Sequence, residues 1–249
     1  MQQTFATRYP IVPFDPNMIT DPPRWVVKDI WQLGKINGMA GFEKSGKSRL
    51  MNWLLVGMAK GSVLGLDALP RKVLYLCGEE QIQVVNARIT KYAQLQDVPL
   101  DQFHIGFVEA AAMRLDLPKE RKGLIEQIID NGYDMLVIDP LRRVHGADEN
   151  DSSKMSNIYN DIRKWSNKFN ITIVMLHHTP KISEDTDMTR IASWFRGSTD
   201  LPAILDTAQY VNRLTKDHIR VLRQGRFPPM SPLDVNDLGD ERGFTRRAN

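Results

Sequence analysis

The residues best placed to do chemistry are Gly41-Phe42-Glu43-Lys44-Ser45-Gly46-Lys47-Ser48, which have the G-x-x-x-x-G-K-[ST] spacing of a phosphate-binding loop. Gly41 and Gly46 let the backbone curl so that successive N–H groups point inward at an anion. A helix starting at the loop's end adds its partial positive charge. Lys47 can then reach the β- and γ-phosphates, and Ser48 can offer its hydroxyl to Mg²⁺. All eight residues, with Arg49 opening the helix, form the expected contact surface for a nucleoside triphosphate. The flanks support this over a solvated Gly/Ser/Lys turn. Residues 35–40 can form a short buried strand, and residues 49–59 read as an apolar helix.

Four further segments gain meaning beside this loop. Asp139 follows the apolar run Met135-Leu136-Val137-Ile138, and ligands of open α/β sheets bind outside the carboxyl ends of strands. A carboxylate there can hold Mg²⁺, directly or through water. Hydrolysis also needs a carboxylate that orients the attacking water. Pro140 follows Asp139, so that base must come from another strand. Gly78-Glu79-Glu80 ends the run Val73–Cys77, giving Glu79 as the expected base and Glu80 as a further carboxylate for the metal. The bland alternative is a pair of helix-start carboxylates stabilised by the dipole. His177-His178 ends the run 171–176. Adjacent histidines on an extended segment point to opposite sides, so sensing of the γ-phosphate by a polar side chain suits this pair better than a shared metal. Beyond Arg196-Gly197-Ser198-Thr199 lie Arg223 and Arg226, candidates for an arginine supplied across a subunit boundary.

The elements that must position these residues alternate in type. Strand patterns at 73–77, 104–108, 135–138 and 171–176 are separated by helical patterns at 82–95, from Pro118 onward, and at 153–169. Shorter strand patterns follow at 208–214 and 219–222. The expected fold is α/β, a mostly parallel sheet flanked by helices and finished by antiparallel strands. Five prolines between Pro10 and Pro23 predict an extended arm over 1–34, with apolar residues (Tyr9, Ile11, Val12, Phe14, Ile19) that want cover. The ATPase core is expected over 35–233, and a short, polar, partly frayed tail over 234–249.

Composition narrows the class. At 249 residues the chain can hold one large α/β core, and its net charge of +3 is too small to argue for nucleic-acid binding by itself. The single cysteine, Cys77, excludes an internal disulfide and suits a reducing compartment. No apolar run is long enough to span a bilayer, and the N-terminus lacks a signal-peptide layout, so the expectation is a cytoplasmic protein without a membrane partner.

Taken in order, GFEKSGKS, VLYLCGEE, VIDPLRRVHGADEN, IVMLHHTPK and RGSTDLPAILDTAQYVNRL resemble the RecA-like ATPases, and among them the small hexameric RepA-type replication helicases. The resemblance spans Lys35 to Leu214. It implies a RecA-like core that assembles head to tail into a ring, binds ATP and Mg²⁺ between neighbours, and moves on single-stranded DNA. It assigns Lys47 and Ser48 to phosphate and metal, Glu79 to catalysis, Asp139 to Mg²⁺ and His178 to γ-phosphate sensing. The loops after Arg143 and His178 would face the channel, where Lys181, Arg190 and Trp194 can supply cations and a stacking platform. The pattern is broken at Gln209, aligned where RepA-type helicases carry an arginine, which leaves Arg223 or Arg226 on the next strand, as in DnaB-type helicases. The first channel loop is also acidic, with Asp148, Glu149 and Asp151. Two other roles fit the same core: a filament-forming recombination or repair ATPase, and a nucleotide-gated scaffold that loads another replication protein.

Overall fold

The computed structural model describes residues 13–15, 22–148, 152–179, 195, 200–225 and 230–247. Four short strands, β1 (Trp25–Val27), β2 (Trp31–Gln32), β4 (Ser62–Val63) and β5 (Leu66–Asp67), stand apart from a large central sheet. The sheet itself is built from β3 (Ile36–Gly41), β6 (Val73–Cys77), β7 (Ile105–Glu109), β8 (Met135–Asp139), β9 (Thr172–His178), β10 (Thr207–Thr215), β11 (His218–Gly225), β12 (Leu233–Asp237) and β13 (Phe244–Arg246). Its nine strands lie in the order β13-β12-β11-β10-β3-β9-β8-β6-β7. From β10 through β3, β9, β8 and β6 to β7 every pairing is parallel. From β10 outward to β13 every pairing is antiparallel. This is the expected mixed α/β sheet.

The parallel strands read as continuous apolar runs because helices cover both faces. One face packs against α1 (Lys47–Lys60) and α2 (Ile82–Gln96), with Tyr75, Val137, Val174 and Leu54 in a shared core. The other packs against α3 (Pro118–Asp130), α4 (Ser152–Phe169) and the short α5 (Asp200–Ile204), around Leu76, Ile138, Met175 and Ile158. Alternate residues of each strand feed opposite cores, as the period of two requires. Helix α1 ends where Gly61 adopts φ 84° and donates its N–H to Met58 O.

Ordered structure extends past the expected core at both ends. Inside the stretch read as an arm, β1 pairs with β2, and Val26, Val27 and Trp31 are fully buried. The density of prolines upstream masked this apolar cluster. The stretch read as a frayed tail supplies most of β12 and all of β13. Phe244 packs edge-on against Trp53 and Tyr92 at centroid distances of 5.9 and 6.3 Å, contacts invisible to a local reading of a polar segment. Strand β9 runs two residues beyond its expected end and includes both histidines. Strands β4 and β5 form a hairpin after α1. Among the described residues no helix is long and apolar enough to cross a membrane.

Candidate functional site

Strands β3, β9, β8 and β6 are consecutive and parallel, so Gly41, His178, Asp139 and Gly78 all stand at the same, carboxyl, edge of the sheet. There they open onto a cleft of about 390 Å³ whose walls include Lys47, Ser48, Glu79, Asp139, His178 and Arg213. Sequence reasoning anticipated five of these six, and it also anticipated Glu43, Lys44, Gly46, Arg49 and Glu80, which line the cleft too.

The loop itself is shaped for close approach. A Cβ on Gly41 would stand 2.6 Å from Val211 O and 2.9 Å from Ser45 Oγ. Gly46 has φ 95° at the N-cap of α1, a left-handed conformation that favours glycine, and no side chain caps that helix start. Lys44 is also left-handed, with φ 59°. Ser45 Oγ is buried and has no hydrogen-bond partner among the described residues. Lys47 Nζ donates to Gly41 O and Phe42 O, both at 2.9 Å. Burial lowers its pKa to about 8, a pull only partly offset by Asp139, Glu79 and Glu43. A desolvated cation held by carbonyls and an orphaned hydroxyl in one loop are the features a phosphate group would complete.

Asp139 is the centre of the acidic wall. Its Oδ1 accepts from Ser48 Oγ at 3.2 Å and its Oδ2 from Tyr75 Oη at 2.5 Å. Burial raises its pKa, against the lowering effect of those two donors. Ser48 and Asp139 thus present adjacent hard oxygen donors, the set that suits Mg²⁺. Glu79 lies 3.4 Å from His178 Nε2 and 3.5 Å from Arg143 Nε. The two histidines do diverge: His177 is buried and stacks on Phe195 at 5.9 Å, while His178 faces the cleft.

Some expected residues are engaged otherwise. Both carboxylate oxygens of Glu80 accept from Arg88 at 2.7 Å, which ties Glu80 to α2 while it still lines the cleft. Arg49 binds Asp240 at 2.6 Å and Asp237 at 2.9 Å, so its guanidinium belongs to the β12–β13 segment. Gln209 is buried and donates to Ile30 O at 2.7 Å and Thr207 Oγ1 at 3.0 Å, a structural role away from the phosphate loop. Arg223 pairs with Gln209 across β11 and β10, level with Met39, and donates through Nε to Ser231 O at 2.8 Å. It does not line its own chain's cleft. Arg226, Glu149, Asp151, Lys181, Arg190, Trp194 and the segment 196–199 lie outside the described residues.

Sequence reasoning missed Tyr75, Arg88 and Arg213. Arg213 Nη2 would stand 2.8 Å from a Cβ on Gly46 and binds Asp237 at 2.5 Å. It reaches the loop only because β10 pairs with β3, which no local signal announces.

A glycine loop between a buried strand and a helix, faced by a strand-end Asp and a separate strand-end Glu, defines a P-loop ATPase with a RecA-like core. Residues 12–184, more than half of the chain, match the AAA domain family AAA_25, and the chain belongs to that family. Among solved structures, one ATPase domain superposes with a TM-score of 0.65 at 14% sequence identity, covering 86% of this chain and 85% of that one. At that identity the likeness speaks for the fold alone. With 592 solved chains matching, the fold does not choose among the functions it hosts. No curated protein sequence matches.

Proposed function

We propose that the chain is an ATP-driven motor that assembles head to tail into a ring and translocates on single-stranded DNA, in the manner of a replicative helicase. The observation that carries this reading is the separation of the two acids. Asp139 ends β8, whereas Glu79 follows β6, one strand further out, in contact with His178 and Arg143. A hydrolytic base linked to two strand-end loops suits an enzyme whose turnover must be felt elsewhere.

In this reading Lys47 exchanges Gly41 O and Phe42 O for phosphate oxygens, and the α1 N-terminus and Ser45 hydroxyl complete the cradle. Ser48 and Asp139 would hold a magnesium ion, which when bound neutralises charge on the β- and γ-phosphates. Glu79 orients the attacking water and accepts its proton. His178, on the strand between those of the phosphate loop and Asp139, reports loss of the γ-phosphate to the residues that follow it. A cation from the neighbouring copy completes the site, with Arg223 or Arg226 as donor. Closure of such a heterologous interface gives a ring.

The test is ATP turnover with and without single-stranded DNA. Wild-type turnover should rise on adding DNA, and Lys47→Ala should abolish it in both conditions. Turnover indifferent to any nucleic acid would remove the motor and leave the ATPase.

A further inference from the structure

We propose that Tyr75 is a positioning residue for the metal-binding carboxylate, fixing which oxygen of Asp139 is presented to the cation. The inference rests on the reading of Asp139 as a metal ligand and adds a residue to it. Tyr75 is fully buried in the middle of β6, between apolar neighbours, and its ring packs 6.1 Å from Phe107. A phenylalanine would fill the same space. A buried hydroxyl is costly unless it is hydrogen-bonded, so the phenol oxygen must be accounted for by its bond. That bond goes to Asp139 Oδ2 at 2.5 Å.

The register explains the reach. Cys77 is paired with Asp139 across β6 and β8, and Tyr75 is paired with Val137. Tyr75, Cys77, Val137 and Asp139 therefore share one face of the sheet, and Tyr75 meets Asp139 along the diagonal, a distance a long aromatic side chain spans. The hydroxyl comes from inside the core, beneath the carboxylate. Oδ2 is tied down into the sheet while Oδ1 is directed to Ser48, the other expected metal ligand. Without Tyr75 the carboxylate can rotate and must find another partner for Oδ2. Carboxylate ligands are commonly oriented by such outer donors, and their loss typically weakens metal affinity by about 10- to 100-fold.

The experiment compares Tyr75→Phe and Asp139→Asn in the full chain, without DNA, so that the motor reading is not at stake. Two quantities are measured: the Mg²⁺ concentration giving half-maximal ATP hydrolysis, and Mn²⁺ binding to the ADP-loaded protein by electron paramagnetic resonance. Tyr75→Phe should raise both half-saturation values by about tenfold, while kcat at saturating Mg²⁺ changes far less. A merely structural role would lower thermal stability without moving the metal dependence. Unchanged metal dependence in Tyr75→Phe, with a clear shift in Asp139→Asn, overturns this inference alone. No shift in either variant overturns the metal reading with it. If Tyr75→Phe does not fold, the tyrosine ultraviolet difference spectrum on adding Mg²⁺ and ADP decides: it should be present in wild type and lost in Asp139→Asn, and a signal indifferent to Asp139→Asn sinks the proposal.

Discussion

Two buried polar regions share strands β3, β9 and β10, and they are built on opposite terms. Toward the amino end of β3, Asn37 is completely buried, and its Oδ1 accepts from Gln32 N and Thr207 Oγ1, both at 2.7 Å. Its Nδ2 donates to Gln32 O, Lys35 O and Ile173 O. Nearby, Asp206 Oδ2 accepts from Ile36 N at 3.0 Å and Arg163 at 2.8 Å. Just beyond the carboxyl end of β3, Ser45 Oγ has no partner among the described residues, and the Lys47 ammonium faces carbonyls instead of an anion. Asn37 itself is satisfied internally, and its bonds with those of Thr207 tie β1–β2, β3, β9 and β10 together. The second region withholds its partners from the fold. Polar burial alone does not mark a functional site; what sets this one apart is an unpaired hydroxyl and a desolvated cation together in one glycine loop at the strand ends.

The sharpest way to break this contrast is Lys47→Met. ATP hydrolysis should fall by about a thousandfold, the scale lost when a phosphate-directed donor is removed. The nucleotide-free protein should become more stable at neutral pH, by about 1 kcal/mol after allowing for two lost hydrogen bonds. The sign follows from linkage. The pKa of Lys47 is lowered from 10.5 to about 8, so the unfolded state binds the proton more tightly between those values. Its burial therefore costs stability below about pH 8, and that cost fades as pH rises toward 10.5. Chemical denaturation at pH 7 and pH 10 should show the gain shrinking at the higher pH; a loss of stability at both would mean that Lys47 is satisfied after all.

At the other region the roles reverse. Asn37→Leu should lose about 3 kcal/mol through several stranded backbone groups, measured by urea denaturation. The KM for ATP of the folded fraction should stay near wild type. A large rise in KM without loss of stability would make the amino-end network part of the site. The smallest effect is expected from Arg213→Gln, at the border between the two designs, since Arg213 lines the cleft beside Gly46 yet is anchored by Asp237. Nucleotide affinity should weaken by about tenfold, the order of one charged hydrogen bond, as read by fluorescent-nucleotide titration. No change would confine Arg213 to fastening β12 onto the core.

The contrast also explains what was legible in the sequence. The apolar runs before Gly41, Gly78, Asp139 and His177 could be assigned as strands directly, because a parallel strand covered on both sides needs no alternation. The Ile82–Gln96 and Ser152–Phe169 helices were equally readable from spacing. The edges failed for a physical reason. Residues 25–32 and 233–246 are stabilised by contacts with distant partners, such as Phe244 on Trp53 and Thr207 on Ile30, and nothing local forecasts them. The Glu80 pairing escaped notice similarly, because its partner Arg88 comes from within α2, away from the strand ends.

By itself, the sequence determined that residues 41–48 form a glycine loop between strand and helix, that Glu79, Asp139 and His178 belong to the same edge of a sheet, and that the core is α/β. Those conclusions depend on short-range order: a glycine spacing, a strand followed by an acid, a helix that begins on cue. Only the tertiary structure decided which polar groups are satisfied and by whom. Tyr75 beneath Asp139, Arg88 on Glu80, Arg213 over Gly46 and Gln209 in the core all depend on how distant segments come to lie side by side. Hydrogen bonds form between neighbours in space, and the packing of strands and helices is a property of the whole chain.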